Sequence, residues 1–360
     1  MQAFFILPLH LWHLLVSLLL SGGKEINLTY NCLMQGVSVV IPNYNGAKLF
    51  PETLPTVLCA LHHINLPFEI IVSDDCSTDD SISYLQKNFP GIKIVANNKN
   101  SGFSITANTG IRNAQYDLVL LLNSDVKLEP EYFVHQLKYF EHNDTFGVMG
   151  RIIGWNDDII QDGAKYPSFH GVKIKTSGNY LLQNEEEMNN GLYTMYISGA
   201  NALLDRKKFL DIGGFNELFS PFYVEDFEFS LRAWRRGWKC YYDYQSVCRH
   251  QTSTTIQSAN KKKFIKKIYN RNKMFLHGIH LSTSKRYIYY FQLFFEGLAK
   301  LITGHWYFIQ SIFLFIGSYT KVRMSREGLL QREKGKPHLS VNEVAELVLS
   351  SVKGKSIKRF

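Results

Sequence analysis

The run Leu118-Val119-Leu120-Leu121-Leu122 is aliphatic throughout and stops at Asn123-Ser124-Asp125. A strand without polar alternation is buried on both faces, which means the interior of a parallel sheet covered by helices. Two further runs have the same form. Val37 to Ile41 is closed by Pro42-Asn43-Tyr44-Asn45, and Phe68 to Val72 by Ser73-Asp74-Asp75. Ile92 to Val95 predicts a third short strand, and helices are predicted from about Lys48 to His63 and from Ser104 to Ala114. Ser77-Thr78-Asp79-Asp80 offers helix N-cap residues between them. Strands and helices alternating at this spacing predict an α/β fold of βαβ units with a mostly parallel sheet. Ligands of such sheets bind beyond the carboxyl ends of the strands. The polar clusters at three strand ends therefore predict one shared site.

After Gly150 the pattern changes. Residues 151–194 are loop-rich and polar, as expected of an insertion or a further lobe. Tyr196 to Leu204 reads as strand again, Glu225 to Arg236 as a helix, and a strand is expected near Val247.

Charge divides the chain. Residues 1–260 hold 20 Lys/Arg against 26 Asp/Glu, whereas residues 261–360 hold 20 against 5. A basic tail on a mildly acidic body is an address for something anionic. The positive charge lies beside an aromatic, apolar stretch, which fits an anionic membrane surface better than nucleic acid. Residues 287–317 are interrupted by Glu296, Lys300, Gly304 and His305, so two short helices lying in the interface are expected rather than one span. The alternative is that these helices pack on the rest of the chain. The 5 cysteines include no CxxC pair, which suggests neither a zinc site nor a disulfide framework and favours a reducing compartment. Ala3 to Leu20 is nearly all apolar, and three readings of residues 1–33 stand: anchor, signal peptide, or a non-native stretch ahead of a start at Met34.

Several acids sit where chemistry could use them. A hard carboxylate at Asp125 suits Mg²⁺ or Mn²⁺ bridging to a diphosphate. Its plainer reading is an N-cap for a helix with Pro130 at its first position. Asp74 or Asp75 could accept hydrogen bonds from a base ring or a ribose hydroxyl, or simply cap the loop. Glu225-Asp226 opens a helix, where a carboxylate could deprotonate an acceptor hydroxyl or merely favour the helix dipole. His250 could be a metal ligand, a phosphate contact or a structural histidine.

In combination the segments are specific. VSVVIPNYNG (37–46), EIIVSDDCSTDDS (69–81), NKNSGFSITANTGIRNA (98–114), DLVLLLNSDV (117–126), ISGANALLDR (197–206), IGGFNELF (212–219) and YVEDFEFSLRAWRRGW (223–238) resemble the family-2 glycosyltransferases. The resemblance runs from Val37 to about His250 and implies the A-type nucleotide-sugar-binding (GT-A) fold. It implies a catalytic domain over 34–255, with a nucleotide half to about 126 and an acceptor half from about 150. A helical, basic extension over 256–360 follows.

The resemblance also implies roles. Pro42, Tyr44 and Asn45 would line the base and ribose pocket, with Asp74 or Asp75 contacting the base or ribose. Asn100, Gly102 and Asn108 would face the nucleotide. Asp125 would be the metal ligand of the family's Asp-x-Asp motif, and His250 would help hold the metal and diphosphate. Asn123 stands where that motif has its first acid, as in rhamnosyltransferase-like members. Asp226, beside Glu225, would be the catalytic base, and Ser198, Gly199 and Ala200 would lie near the acceptor. The implied activity is inverting transfer of a sugar from a UDP or dTDP donor to a glycan or lipid-linked acceptor. Its setting would be cell-envelope polysaccharide or glycolipid synthesis, at the cytoplasmic face of the membrane.

Two other classes compete. A nucleotidyltransferase would carry a Gly-rich, basic phosphate loop after its first strand, which Pro42-Asn43-Tyr44-Asn45-Gly46 is not. A non-catalytic membrane- or nucleic-acid-binding protein of the same fold would not need acids at both key positions.

Overall fold

A computed structural model describes residues 36–184, 186–189, 191–251 and 259–360. The expectations for residues 1–33 lie outside them. The first half alternates as expected: β1 (Val37–Asn43), α1 (Phe50–His62), β2 (Phe68–Asp74), α2 (Ser81–Asn88), β3 (Lys93–Ala96), α3 (Phe103–Arg112) and β4 (Leu118–Leu122). Next come β5 (Val126–Leu128), β6 (Thr145–Gly154), β7 (Ile160–Asp162), β8 (Pro167–His170), β9 (Lys173–Thr176), β10 (Tyr180–Leu182), β11 (Leu192–Tyr193) and β12 (Asn201–Asp205). The chain then forms α4 (Arg206–Asp211), α5 (Glu225–Arg235) and β13 (Lys239–His250). It ends in α6 (Ala259–His280), α7 (Thr283–Ile302), α8 (Trp306–Gly317), α9 (Tyr319–Glu333), α10 (Val341–Ser350) and β14 (Ile357–Arg359).

The main sheet runs β11-β13-β6-β12-β4-β1-β2-β3. Strands β3, β2, β1 and β4 are mutually parallel, and β12 enters antiparallel between β4 and β6. Successive residues of β1 serve opposite faces. Val37, Val39 and Ile41 pack with Phe50, Leu54 and Val57 of α1, while Val40 joins Ala107 and Ile111 of α3. Two-sided burial explains why these strands read as unbroken aliphatic runs.

Three expectations change. Tyr196 to Leu204 is not one strand: β12 starts at Asn201, whose N–H donates to Ser198 O at 3.2 Å, turning residues 198–201 into a corner. Residues 151–194 carry more structure than expected, because β6 continues to Gly154 and five short strands follow it. The helix cap once open to Asp125 is excluded, since β5 and not a helix follows it.

The expected boundary at residue 256 is not a boundary of packing. Phe229 and Trp234 of α5 share one hydrophobic cluster with Phe275 of α6, Tyr289 of α7 and Phe315 of α8. A buried polar network spans the same junction. Arg232 on α5 pairs with Glu228 at 2.8 Å and donates to Ile212 O and Gly214 O, and Glu228 meets His280 of α6 at 3.1 Å. Burial pulls His280 down to about 4. Arg235 pairs with Glu333 of α9 at 2.9 Å. Removing one partner of such a network strands a buried charge, at about 3–5 kcal/mol.

Candidate active site

Register alone gathers the strand-end clusters. β1 pairs with β2 so that Asn43 lies opposite Asp74, and with β4 so that Val40 lies opposite Leu121. The carboxyl ends therefore share one edge.

The two aspartates of the second cluster build the edge from within. Asp74 is fully buried and accepts from Ser77 N (2.8 Å), Ser77 Oγ (2.6 Å) and Asn43 Nδ2 (2.8 Å). Asp75 accepts from Ser101 N, Gly102 N (both 2.8 Å) and Asn97 Nδ2 (2.9 Å). Each carboxylate is taken up by its own loops. Asn45 holds the loop after β2, its Oδ1 accepting from Thr78 N at 2.8 Å, and adopts φ 58° to do so. Tyr44 is exposed beside it and Pro42 half-buried, leaving an aromatic face open at the edge.

Asn108 departs from expectation. It is buried, its amide clasping Phe215 from both ends at 2.8 and 2.9 Å. It ties α3 to the chain ahead of α5 and faces no open crevice. Asn100 is exposed, as a ligand contact requires. Gly102 has φ 87°, and a Cβ there would stand 2.9 Å from Pro221 Cα, so only glycine fits between the two halves.

Asp125 and His250 are 125 positions apart and meet because β5 pairs antiparallel with the end of β13, Val126 opposite His250. His250 Nε2 lies 3.5 Å from Asp125 Oδ2, and Asp125 Oδ1 is buried without a partner. His250 Nδ1 is engaged at 2.8 Å by Gln161 Oε1. With Nδ1–H donating to Gln161, Nε2 turns its lone pair toward Asp125. A buried carboxylate oxygen left unbonded beside an imidazole lone pair is a donor set that fits a divalent cation. Among the described residues no cluster of three or more His, Cys, Asp or Glu offers a fuller cage. Two protein ligands would leave the remaining positions to phosphate oxygens and water, as Mg²⁺ prefers.

Asn123 N donates to Ala200 O at 3.0 Å, which joins the Asp125 turn to the 198–200 corner. A Cβ added to Gly199 would lie 2.8 Å from Asp226 Oδ1 and 2.8 Å from Phe103 Cζ. The corner thus touches the Asp125 turn with one residue and Asp226 with the next. Ser198 is buried in the same corner.

Asp226 Oδ1 and Glu225 Oε2 are buried and unpartnered. Burial pushes Asp226 above the ordinary aspartate range, and the Asp162 charge adds to the rise. Glu225 is pushed up further, by burial and then by the charge of Asp226. The two carboxyls therefore titrate as a pair, both held above the ordinary range, and share a proton more readily than free acids would. A carboxylate with a raised pKa and a free oxygen is poised to take a proton.

Sequence reasoning missed what surrounds this acid. Lys165 is buried, paired with Asp162, and its Nζ lies 4.6 Å from the Tyr196 ring centre. No motif in the sequence announces this cluster. It also missed Asn272 of α6, whose Nδ2 donates to Phe219 O (2.7 Å), Phe222 O (3.0 Å) and Tyr223 O (2.8 Å). Arg271 beside it donates to Ser220 O at 2.6 Å. These bonds hold the turn in which Tyr223 and Val224 take φ of 74° and 73°, immediately before Glu225-Asp226. A left-handed β-branched residue costs about 1–3 kcal/mol and persists only where its surroundings enforce it. Asn272→Ala is expected to leave three carbonyls without their donor, lowering stability by about 2 kcal/mol. It should lower kcat roughly tenfold with donor KM unchanged. Thermal melting and steady-state kinetics check this, and an unchanged kcat would remove Asn272 from the site.

Glycosyl transferase family 2 matches this chain over residues 38–213. The chain is similar to the chondroitin synthase of Pasteurella multocida (strain Pm70), 24% identical over 238 residues, covering 56% of this chain and 23% of that protein. It is similar to the chondroitin synthase of Escherichia coli at 25% identity over 234 residues, covering 58% of this chain and 33% of that protein. It thus spans between 23% and 33% of the length of these two relatives. The putative teichuronic acid biosynthesis glycosyltransferase TuaG of Bacillus subtilis (strain 168) is 25% identical over 231 residues, covering 59% of this chain and 88% of that protein. Among solved structures, GalNAc-T7 with UDP, GalNAc and Mn²⁺ aligns with a TM-score of 0.64 at 15% identity, over 90% of this chain and 58% of that one. That likeness concerns the fold. Residues 38–213 of this chain match glycosyl transferase family 2, and the sheet that carries them has the GT-A architecture.

Proposed function

We propose that this protein transfers a sugar from a nucleoside-diphosphate carrier to a hydroxyl of a glycan or lipid-linked acceptor, with inversion at the anomeric carbon. The observation that carries the reading is the 198–200 corner, with Asp226 against Gly199 and the Asp125 turn bonded to Ala200. It puts Asp226, which we read as the proton acceptor, and the turn of Asp125, which we read as the cation-binding acid, against neighbouring residues of one short segment. Asp226 takes the proton of the acceptor hydroxyl as its oxygen bonds to the anomeric carbon. The bond from that carbon to the diphosphate oxygen breaks, its electron pair leaving with the diphosphate. A Mg²⁺ or Mn²⁺ ion held by Asp125 and His250 would supply Lewis-acid stabilisation of that leaving charge. We read the transfer as one displacement, which inverts the centre.

Three features of relatives support the setting. Two are named chondroitin synthases, one is named for teichuronic acid biosynthesis, and others are named undecaprenyl-phosphate transferases. We read the product as an envelope polysaccharide or glycolipid made at the cytoplasmic face of a membrane. The donor is a UDP or dTDP hexose or deoxyhexose. Asn123 in place of an acid favours a rhamnosyl-type donor.

The test is a donor screen with UDP-, dTDP- and GDP-sugars, following nucleoside diphosphate release and the anomeric proton of the product by NMR. One donor class should be turned over with inverted configuration. Retained configuration, or no turnover of any donor with glycan or polyprenyl-phosphate acceptors, would overturn the reading.

A further inference from the structure

Helix α7 carries two apolar stripes where a surface helix needs one. Tyr289, Leu293 and Gly297 recur every four residues and are buried against the body. A second stripe, Tyr287, Phe291, Phe294, Phe295, Leu298 and Ile302, recurs at helical spacing on exposed positions, Ile302 being 85% exposed. Helix α8, which packs on α7, also exposes Trp306, Phe313 and Ile316. Large contiguous apolar faces mark sites of interaction.

Charge decides what covers this face. The only acidic residue of α7 is Glu296, which pairs with Lys173 at 2.6 Å. The end of the face opens into a groove between α6 and α8, lined by Lys263, Phe264, Lys267, Trp306 and Tyr307. Lys267 Nζ stands 5.3 Å from the Phe264 ring and Lys266 Nζ 5.8 Å from that of Tyr307. Aromatic rings beside lysines at the rim of an apolar face match the headgroup level of an anionic bilayer. A second copy of the chain would instead set these lysines against their equivalents.

Length decides how it is covered. No described helix is long and apolar enough to cross a membrane. Gly304, with φ 72°, turns the chain between α7 and α8, and the two helices pack against each other.

The same groove leads back to the turn before Glu225-Asp226. The Phe264 ring packs on Phe222 at 6.3 Å and Tyr269 on Tyr223 at 6.2 Å, and Tyr223 is two residues from Glu225. We propose that the outward stripe of α7 and α8 lies flat on an anionic lipid surface, which sets the Tyr223–Tyr269 mouth of the acceptor side at headgroup height. The acceptor is then carried by a lipid of that bilayer. This last step alone rests on the transferase reading above.

The test uses the full chain and vesicles of phosphatidylcholine with or without 30 mol% phosphatidylglycerol, without donor or acceptor, so it fails or succeeds independently of catalysis. Co-sedimentation should be at least tenfold stronger with the anionic vesicles. The exposed double change F291S/F294S should cut it at least tenfold, and so should K263E/K267E, with melting temperature unchanged. Equal binding to both vesicle types overturns the proposal. So does binding unaffected by either double variant, or a dimer in light scattering that F291S/F294S dissolves.

Discussion

Asp226→Asn is expected to lower kcat by about 10²-fold or more while donor affinity is kept. The change keeps the size of the side chain and removes the basic oxygen next to Gly199. Because burial raises this carboxyl above its ordinary value, the acid limb of kcat against pH should lie higher than a free aspartate would give. Stability should move the other way. A buried acid with a raised pKa is penalised only when charged. The penalty is absent below the ordinary 3.8, grows as pH rises through the folded-state value, and is complete above it. The variant should therefore melt higher than the wild-type chain at about pH 8, with the gain fading toward about pH 4. Kinetics and melting across that range check both signs. If Glu225→Gln proved the damaging change and Asp226→Asn mild, the two roles would have to be exchanged.

Asp125→Ala is expected to remove nearly all turnover, about 10³-fold, because losing several kcal/mol of charge stabilisation on the leaving diphosphate costs that much in rate. The fold should not suffer, since Asp125 Oδ1 is a buried oxygen without a partner and its removal relieves a desolvation cost. Chelation by EDTA should silence the wild-type enzyme, and Mn²⁺ should restore it. Binding of Mn²⁺ with UDP, followed by calorimetry or electron paramagnetic resonance, should vanish in Asp125→Ala and weaken in His250→Ala. Full activity of Asp125→Ala in chelator would refute the assignment.

The half of the site built from strand ends was legible because parallel strands in register bring their carboxyl ends to one edge. Asn43, Asp74 and Asp125 needed only the recognition of three buried aliphatic runs. What the aspartates do there was less legible. Asp74 or Asp75 reads either as a ligand contact or as a loop cap, and in the fold the two accept between them from Ser77, Ser101 and Gly102, because a buried carboxylate takes whatever N–H groups its loop supplies. Asn108 was misplaced for a similar reason. Its position in a matching segment said nothing of which side of α3 faces Phe215.

The sequence by itself determined the alternation of strands and helices in the first half, the mostly parallel sheet and the strand ends where polar clusters gather, because strand burial and turn chemistry act over a few residues. The tertiary structure decided everything that depends on distant segments meeting. Strand β13 returns beside β5 to bring His250 to Asp125, and Asn272 reaches across from α6 to set the turn ahead of Asp226. The basic tail left open whether its helices lie on a membrane or pack on the rest of the chain, and in the fold they share a core and a buried ion-pair network with α5. One stripe of α7 packs inward and another is left outside, a division set by what the rest of the chain offers each face. Local pattern specifies which residues are apolar, and only the assembled fold specifies which of them find a partner.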